Sequence, residues 1–174
     1  MTLENGYIHV YTGNGKGKTT AALGLAVRAA GAGLHVYIIQ FMKGRRYSEL
    51  DALEKIKNIT VFQSGRDEFV SKKHPEQVDI DLAEKGLNQA RTILQKGDHD
   101  VVILDEINVA LDFKLISLQD VLKLLEMKPT HVELVLTGRY AHQDIMKRAD
   151  LVSEILEIKH PYQQGITSRK GIDW

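Results

Sequence analysis

Apolar positions along the chain recur in two patterns. Short, mostly apolar runs occupy residues 7–12, 34–41, 59–63, 100–105, 131–137 and 151–158. Their length and β-branched content predict strands, and runs with little polar alternation predict strands covered on both faces. Between them the apolar residues fall at helical spacing. Ile80, Ala83, Leu87, Ala90 and Leu94 line one face of a helix expected over 76–96, stopped by Gly97-Asp98. Ser117 is placed to cap a helix carrying Leu118, Val121, Leu122 and Leu125. The segment 18–30 is rich in alanine, which lets a helix lie close to a sheet, and it ends at Gly31-Ala32-Gly33. Shorter helices are expected over 48–56, with Ser48 as N-cap, and over 141–148.

Strands separated by helices mean βαβ units. The expected fold is therefore α/β, a mostly parallel sheet with helices on both faces. Ligands of such sheets bind beyond the carboxyl ends of the strands. That directs attention to the turns after Thr12, Phe41, Asp105 and Thr137.

Composition narrows the class. The chain has 174 residues, 43% hydrophobic and 26% charged, as in an ordinary globular protein. With three prolines, no low-complexity stretch and no repeat, residues 1–174 are read as a single domain. The formal net charge is zero, against general nucleic-acid or membrane-surface binding. Cysteine is absent, which excludes disulfides, thiolate catalysis and zinc–thiolate sites. No basic region followed by an apolar run opens the chain, so no signal peptide is expected. No run reaches bilayer length, and a cytoplasmic protein with no membrane partner fits.

The strongest chemical signal follows the first predicted strand: Thr12-Gly13-Asn14-Gly15-Lys16-Gly17-Lys18-Thr19-Thr20. Glycines between a strand and a helix let backbone N–H groups converge on an anion at the helix N-terminus. Lys18 adds a charge for phosphate oxygens, and Thr19 a hydroxyl for magnesium. The usual phosphate-binding loop has four residues between its first glycine and Gly-Lys-Thr. Here Thr12 stands where that glycine is expected, and Gly13 to Gly17 leaves one residue fewer. The second signal is Val101 to Glu106, an apolar strand ending in Asp105-Glu106, the usual magnesium-side partner of such a loop. Arg139, at the end of another strand, is a candidate for phosphate oxygens. Lys43-Gly44-Arg45-Arg46 reads equally as a phosphate contact or a solvated loop. The seven histidines show no metal-ligand spacing. These residues indicate a magnesium–nucleotide protein and leave kinase, ATP-driven switch and nucleotidyl or alkyl transfer open.

The motifs together resemble the P-loop corrinoid adenosyltransferases of cobalamin synthesis. The carrying residues are Thr12 to Ala22, Gln40-Phe-Met-Lys-Gly44, Leu104-Asp-Glu-Ile-Asn108, Leu136-Thr-Gly-Arg139, Ala149-Asp-Leu-Val152, Lys159-His-Pro-Tyr162, Gly165-Ile166 and Lys170-Gly-Ile172. The resemblance runs from about Tyr7 to the C-terminus. It implies a RecA-like P-loop fold and transfer of the 5′-deoxyadenosyl group of ATP to the Co(I) centre of a corrinoid, with release of triphosphate. It implies Mg2+ and a homodimer, and a reductase partner is expected. The expected nucleotide site is Gly13, Asn14, Gly15, Lys16, Gly17, Lys18, Thr19, Thr20 and Arg139. Lys18, Asp105, Glu106 and Phe69 are the expected catalytic groups, and Thr19 and Asp105 the metal ligands. In that family aromatic residues after the third strand displace the lower axial ligand of Co(II). Phe69 falls in the matching stretch, and Ser71 stands where the family tends to have tryptophan. Some members carry a segment ahead of the first strand that covers the corrinoid. Few residues precede Tyr7 here, so such a cover is expected to be absent or supplied otherwise.

Overall fold

The computed structural model describes residues 3–174. Met1 and Thr2, where the reading for a signal peptide begins, lie outside the described residues. Six strands form one sheet: β1 (Ile8–Thr12), β2 (Val36–Phe41), β3 (Ile59–Ser64), β4 (Val101–Asp105), β5 (Glu133–Thr137) and β6 (Leu151–Glu154). Their spatial order is β3-β2-β4-β5-β1-β6, and every pairing is parallel. Parallel strands need crossovers, and the helices provide them: α1 (Lys18–Gly31), α2 (Ser48–Leu53), α3 (Gln77–Lys96), α4 (Ile107–Asp112), α5 (Leu118–Glu126) and α6 (Gln143–Arg148).

The sheet divides the core in two. On one face Ala22, Ala26 and Ala29 of α1 pack on Val36, Ile38, Val101, Ile103 and Val135. Of the five alanines in segment 18–30 these three make the close approach, while Ala21 is exposed. On the other face α3, α4 and α5 cover Ile39, Phe41, Val102, Leu104, Leu134 and Leu136. Helix α3 ends as the sequence indicates, with Gly97 in the left-handed region at φ 65°. Ser117 caps α5, accepting from the Asp120 amide.

Two expectations need correction, and one helix carries no readable sequence signal. Ser48 is the first residue of α2 and not its cap; Tyr47 takes that position without a side-chain cap bond. The Ser48 hydroxyl instead donates to the Trp174 carbonyl. Strand β6 stops at Glu154 and not at residue 158, because only Leu151 to Glu154 pair with β1. Helix α4 was not anticipated: it follows Asp105-Glu106 at once, and its six residues are too few for a readable period.

Candidate active site

The carboxyl ends of β1, β2, β4 and β5 face one cleft of about 1130 Å³. Backbone conformation is unusual around it. Met42, Glu106 and Tyr140, just past β2, β4 and β5, all have φ near +60°. Non-glycine residues in that region cost conformational energy and cluster where a site is built.

Another segment packs tightly against the loop after β1. Residues 155–156, leaving β6, run against Gly13 and Gly15. A Cβ on Gly15 would lie 2.6 Å from the Leu156 carbonyl oxygen, and one on Gly13 would meet that of Ile155. The Gly15 amide donates to the Ile155 carbonyl at 2.8 Å. The Gly15 amide thus departs from the expected convergence of loop N–H groups on an anion. Gly15 serves the docking of residues 155–156, and its amide is taken.

Lys18 is buried at the start of α1, and its Nζ donates to the Gly15 carbonyl at 2.7 Å. Burial lowers its pKa, and the charge of Glu106 opposes that. Asp105 is fully buried. Its Oδ1 accepts from the hydroxyls of Thr19 at 2.9 Å and Thr137 at 2.7 Å, and its Oδ2 from Lys43 Nζ at 2.7 Å. The Glu106 amide donates to Thr137 Oγ1 at 3.0 Å. Burial and then the Asp105 charge raise the Glu106 pKa. Gly15, Lys16, Gly17, Lys18, Thr19, Thr20, Glu106 and Arg139 line the cleft. Gly13 and Asn14 do not line it. Phe69 does not line it either. It stands fully exposed on the β3–α3 loop. That loop is anchored by Arg66, which pairs with Glu76 and Asp79, and by Lys72 on Asp112 at 2.6 Å.

Three features had no adequate local signal. Lys43 belongs to the site, although its stretch also read as a solvated loop. Thr137 bridges Asp105 and the Glu106 amide, a role set only by β5 lying next to β4. The C-terminal segment closes one side of the cleft. Lys16 Nζ donates to the Ile172 carbonyl at 2.7 Å and to Asp173 Oδ1 at 2.6 Å, and Arg45 stacks 4.6 Å from the Trp174 ring centroid. The bond from Lys16 holds the Asp173 carboxyl well below the usual carboxylate range.

Hard oxygen donors from Thr19 and Asp105 meet within hydrogen-bond distance. That set suits magnesium, which takes one or two protein oxygens and completes its shell with water and substrate phosphates. Among the described residues no group of three or more His, Asp or Glu side chains forms a metal site, so a metal here depends on those substrate oxygens.

A parallel sheet with this loop after β1 and an acidic pair after β4, separated by β5, defines a P-loop nucleotide-binding protein. A KaiC-like protein from Pyrococcus horikoshii shares the fold, with TM-score 0.58 and 16% identity over 90% of this chain and 75% of that one. Residues 4–174 match the family model for ATP:corrinoid adenosyltransferase BtuR/CobO/CobP. A corrinoid adenosyltransferase from a Sinorhizobium species is 36% identical over 99% of this chain and 82% of its own length. The corrinoid adenosyltransferase CobA of Salmonella typhimurium is 36% identical over 98% of this chain and 87% of its own. The chain belongs to the ATP:corrinoid adenosyltransferase family, enzymes that adenosylate corrinoids at the expense of ATP.

Proposed function

We propose that this cleft moves the 5′-deoxyadenosyl group of ATP onto the Co(I) centre of a corrinoid and releases triphosphate. The observation that supports it best is the composition of the cleft. Lys16, Lys18, Lys43 and Arg139 gather on the P-loop side, while Val109, Phe113 and Tyr140 offer apolar surface for a second, larger substrate. Its volume exceeds the range of about 300–1,000 Å³ usual for a single small ligand.

Co(I) is itself a strong nucleophile, so no protein base is required at the attacking side. The barrier lies in the departing triphosphate. Lys18 and the free loop amides stabilise that charge by preorganised electrostatics. Thr19 and Asp105 would hold a magnesium ion, which offsets phosphate charge when bound. The remaining task is positioning, with C5′ aligned for in-line displacement.

The finer reading includes a cytoplasmic homodimer served by a reductase. Among the described residues no helix is long and apolar enough to cross a membrane. The outer edge of β6 and the segment after it carry exposed Leu151, Val152, Leu156 and Ile158, apolar surface suited to a second copy. Co(I) has to be generated by electron delivery, hence the reductase.

Product identity tests the reaction. Anaerobic incubation with Mg–ATP and Co(I) corrinoid should give triphosphate in step with a light-sensitive alkylated corrinoid. ADP with an unchanged corrinoid spectrum would transfer the assignment to a kinase or ATP-driven switch. Phe69 tests the axial-ligand role. Phe69→Ala should slow reaction from Co(II) corrinoid with a mild reductant far more than reaction from prepared Co(I). Its side chain is exposed, so stability should stay within about 0.5 kcal/mol of the parent. Equal losses in both assays would remove it from the reduction step.

A further inference from the structure

Both carboxylate oxygens of buried Asp105 are taken. Two hydroxyls share Oδ1, and the Lys43 ammonium holds Oδ2 at 2.7 Å. Lys43 reaches in from the β2–α2 connection, immediately after left-handed Met42, and its Nζ also lies 5.3 Å from the Tyr47 ring centroid. The Lys43 end of this salt bridge therefore occupies an oxygen of the carboxylate that the metal would use. A dication and an ammonium held on one buried carboxylate would repel each other strongly.

We propose that Lys43 is an exchangeable counter-ion, paired with Asp105 before the substrate enters and turned onto the triphosphate of ATP once Mg2+ takes Asp105. The inference rests on ATP being the substrate. Without substrate, buried Asp105 is paired with Lys43, and Lys43, Lys18 and Glu106 line the cleft together. Mg–ATP brings a cation for Asp105 and a polyphosphate that needs one. Only the width of the Asp105 carboxylate separates Lys43 Nζ from the Thr19 hydroxyl. Its flexible stem can thus carry the ammonium from the carboxylate to phosphate oxygens held by the loop. Lys43 then contributes to holding the leaving triphosphate, and binding stays local because no buried charge is left unpaired.

Calorimetric titration of ATP in the absence of corrinoid tests this, with EDTA and with saturating Mg2+. Lys43→Met should weaken ATP binding roughly a hundredfold in EDTA, where bare Asp105 repels phosphate, and roughly tenfold in Mg2+, where only the phosphate contact is lost. The Mg2+ concentration that half-saturates ATP binding should fall, because nothing competes for Asp105. Lys43→Arg should recover most of the Mg–ATP affinity. Lys43→Gln, which removes the charge and can keep a hydrogen bond to Asp105, should show the same larger loss in EDTA than in Mg2+ should Lys43→Met fold poorly by thermal melting. Unchanged or tighter Mg–ATP binding would reduce Lys43 to a fixed partner of Asp105 and overturn the exchange. Equal weakening under both conditions would make it a permanent phosphate contact and overturn it too. Failure of the transferase reading would show separately, in the products of the corrinoid reaction.

Discussion

Replacing Lys18 by alanine should lower the rate of adenosyl transfer by roughly a hundredfold or more, the loss expected for one preorganised anion-stabilising group. The side chain is 7% exposed and already desolvated, which lowers its pKa against the pull of Glu106. Its Nζ has one neutral acceptor, the Gly15 carbonyl. An ammonium in that state gains more from an approaching anion than one in water, because its desolvation has occurred on folding. Stability should change little, since removal leaves only one loop carbonyl without its partner. Arginine should not restore the rate. Its rigid planar fork does not replace a compact point charge beneath a tight loop. Single-turnover kinetics with prepared Co(I) corrinoid and saturating Mg–ATP measures the chemical step directly. A full rate in Lys18→Ala would take Lys18 out of the site.

Asp105→Asn should show the larger effect on stability, about 3–5 kcal/mol, together with a higher Mg2+ requirement. The amide keeps the volume of the carboxylate but not its charge. Lys43, with its side chain 14% exposed, then has no adjacent full counter-charge. The hydroxyls of Thr19 and Thr137 lose a charged acceptor, and with them part of the link between α1, β4 and β5. Adding Lys43→Met to Asp105→Asn should recover much of the loss, because the unpaired buried ammonium is gone. A double-mutant cycle on urea unfolding reads that coupling. Additive losses would mean that the two side chains fold independently of each other. The Mg2+ dependence of the rate separates the metal role from the structural one, since Lys43→Met alone leaves the carboxylate in place.

The framework of the molecule was legible in the chain because its signals are local. The apolar runs of β2 and β4 read as strands buried on both faces, and both are fully buried. The α3 period and its Gly97 stop act within a few residues of one another. The Gly-Lys-Thr loop announces phosphate chemistry because strand, turn and helix are contiguous. Resemblance to a family rests on the same motifs, and the full-length match bears it out. Where local signals were short or ambiguous the reading erred. Ser48 looks like a cap, yet its hydroxyl is recruited by Trp174, which lies 126 positions away.

The alternation of strands and helices, the glycine-rich loop and the Asp105-Glu106 pair were all readable from neighbours along the chain. Strand order emerges from the packed sheet alone, and with it the placing of β5 between β1 and β4 that brings Thr137 onto Asp105. Tertiary packing likewise has residues 155–156 take the Gly15 amide, the C-terminal segment tie down Lys16, and Lys43 pair with Asp105 across 62 positions. The physical reason is one of range. Periodicity, caps and turns depend on neighbours along the chain, whereas the pairing of a buried charge depends on which distant group the packed sheet brings within hydrogen-bond distance.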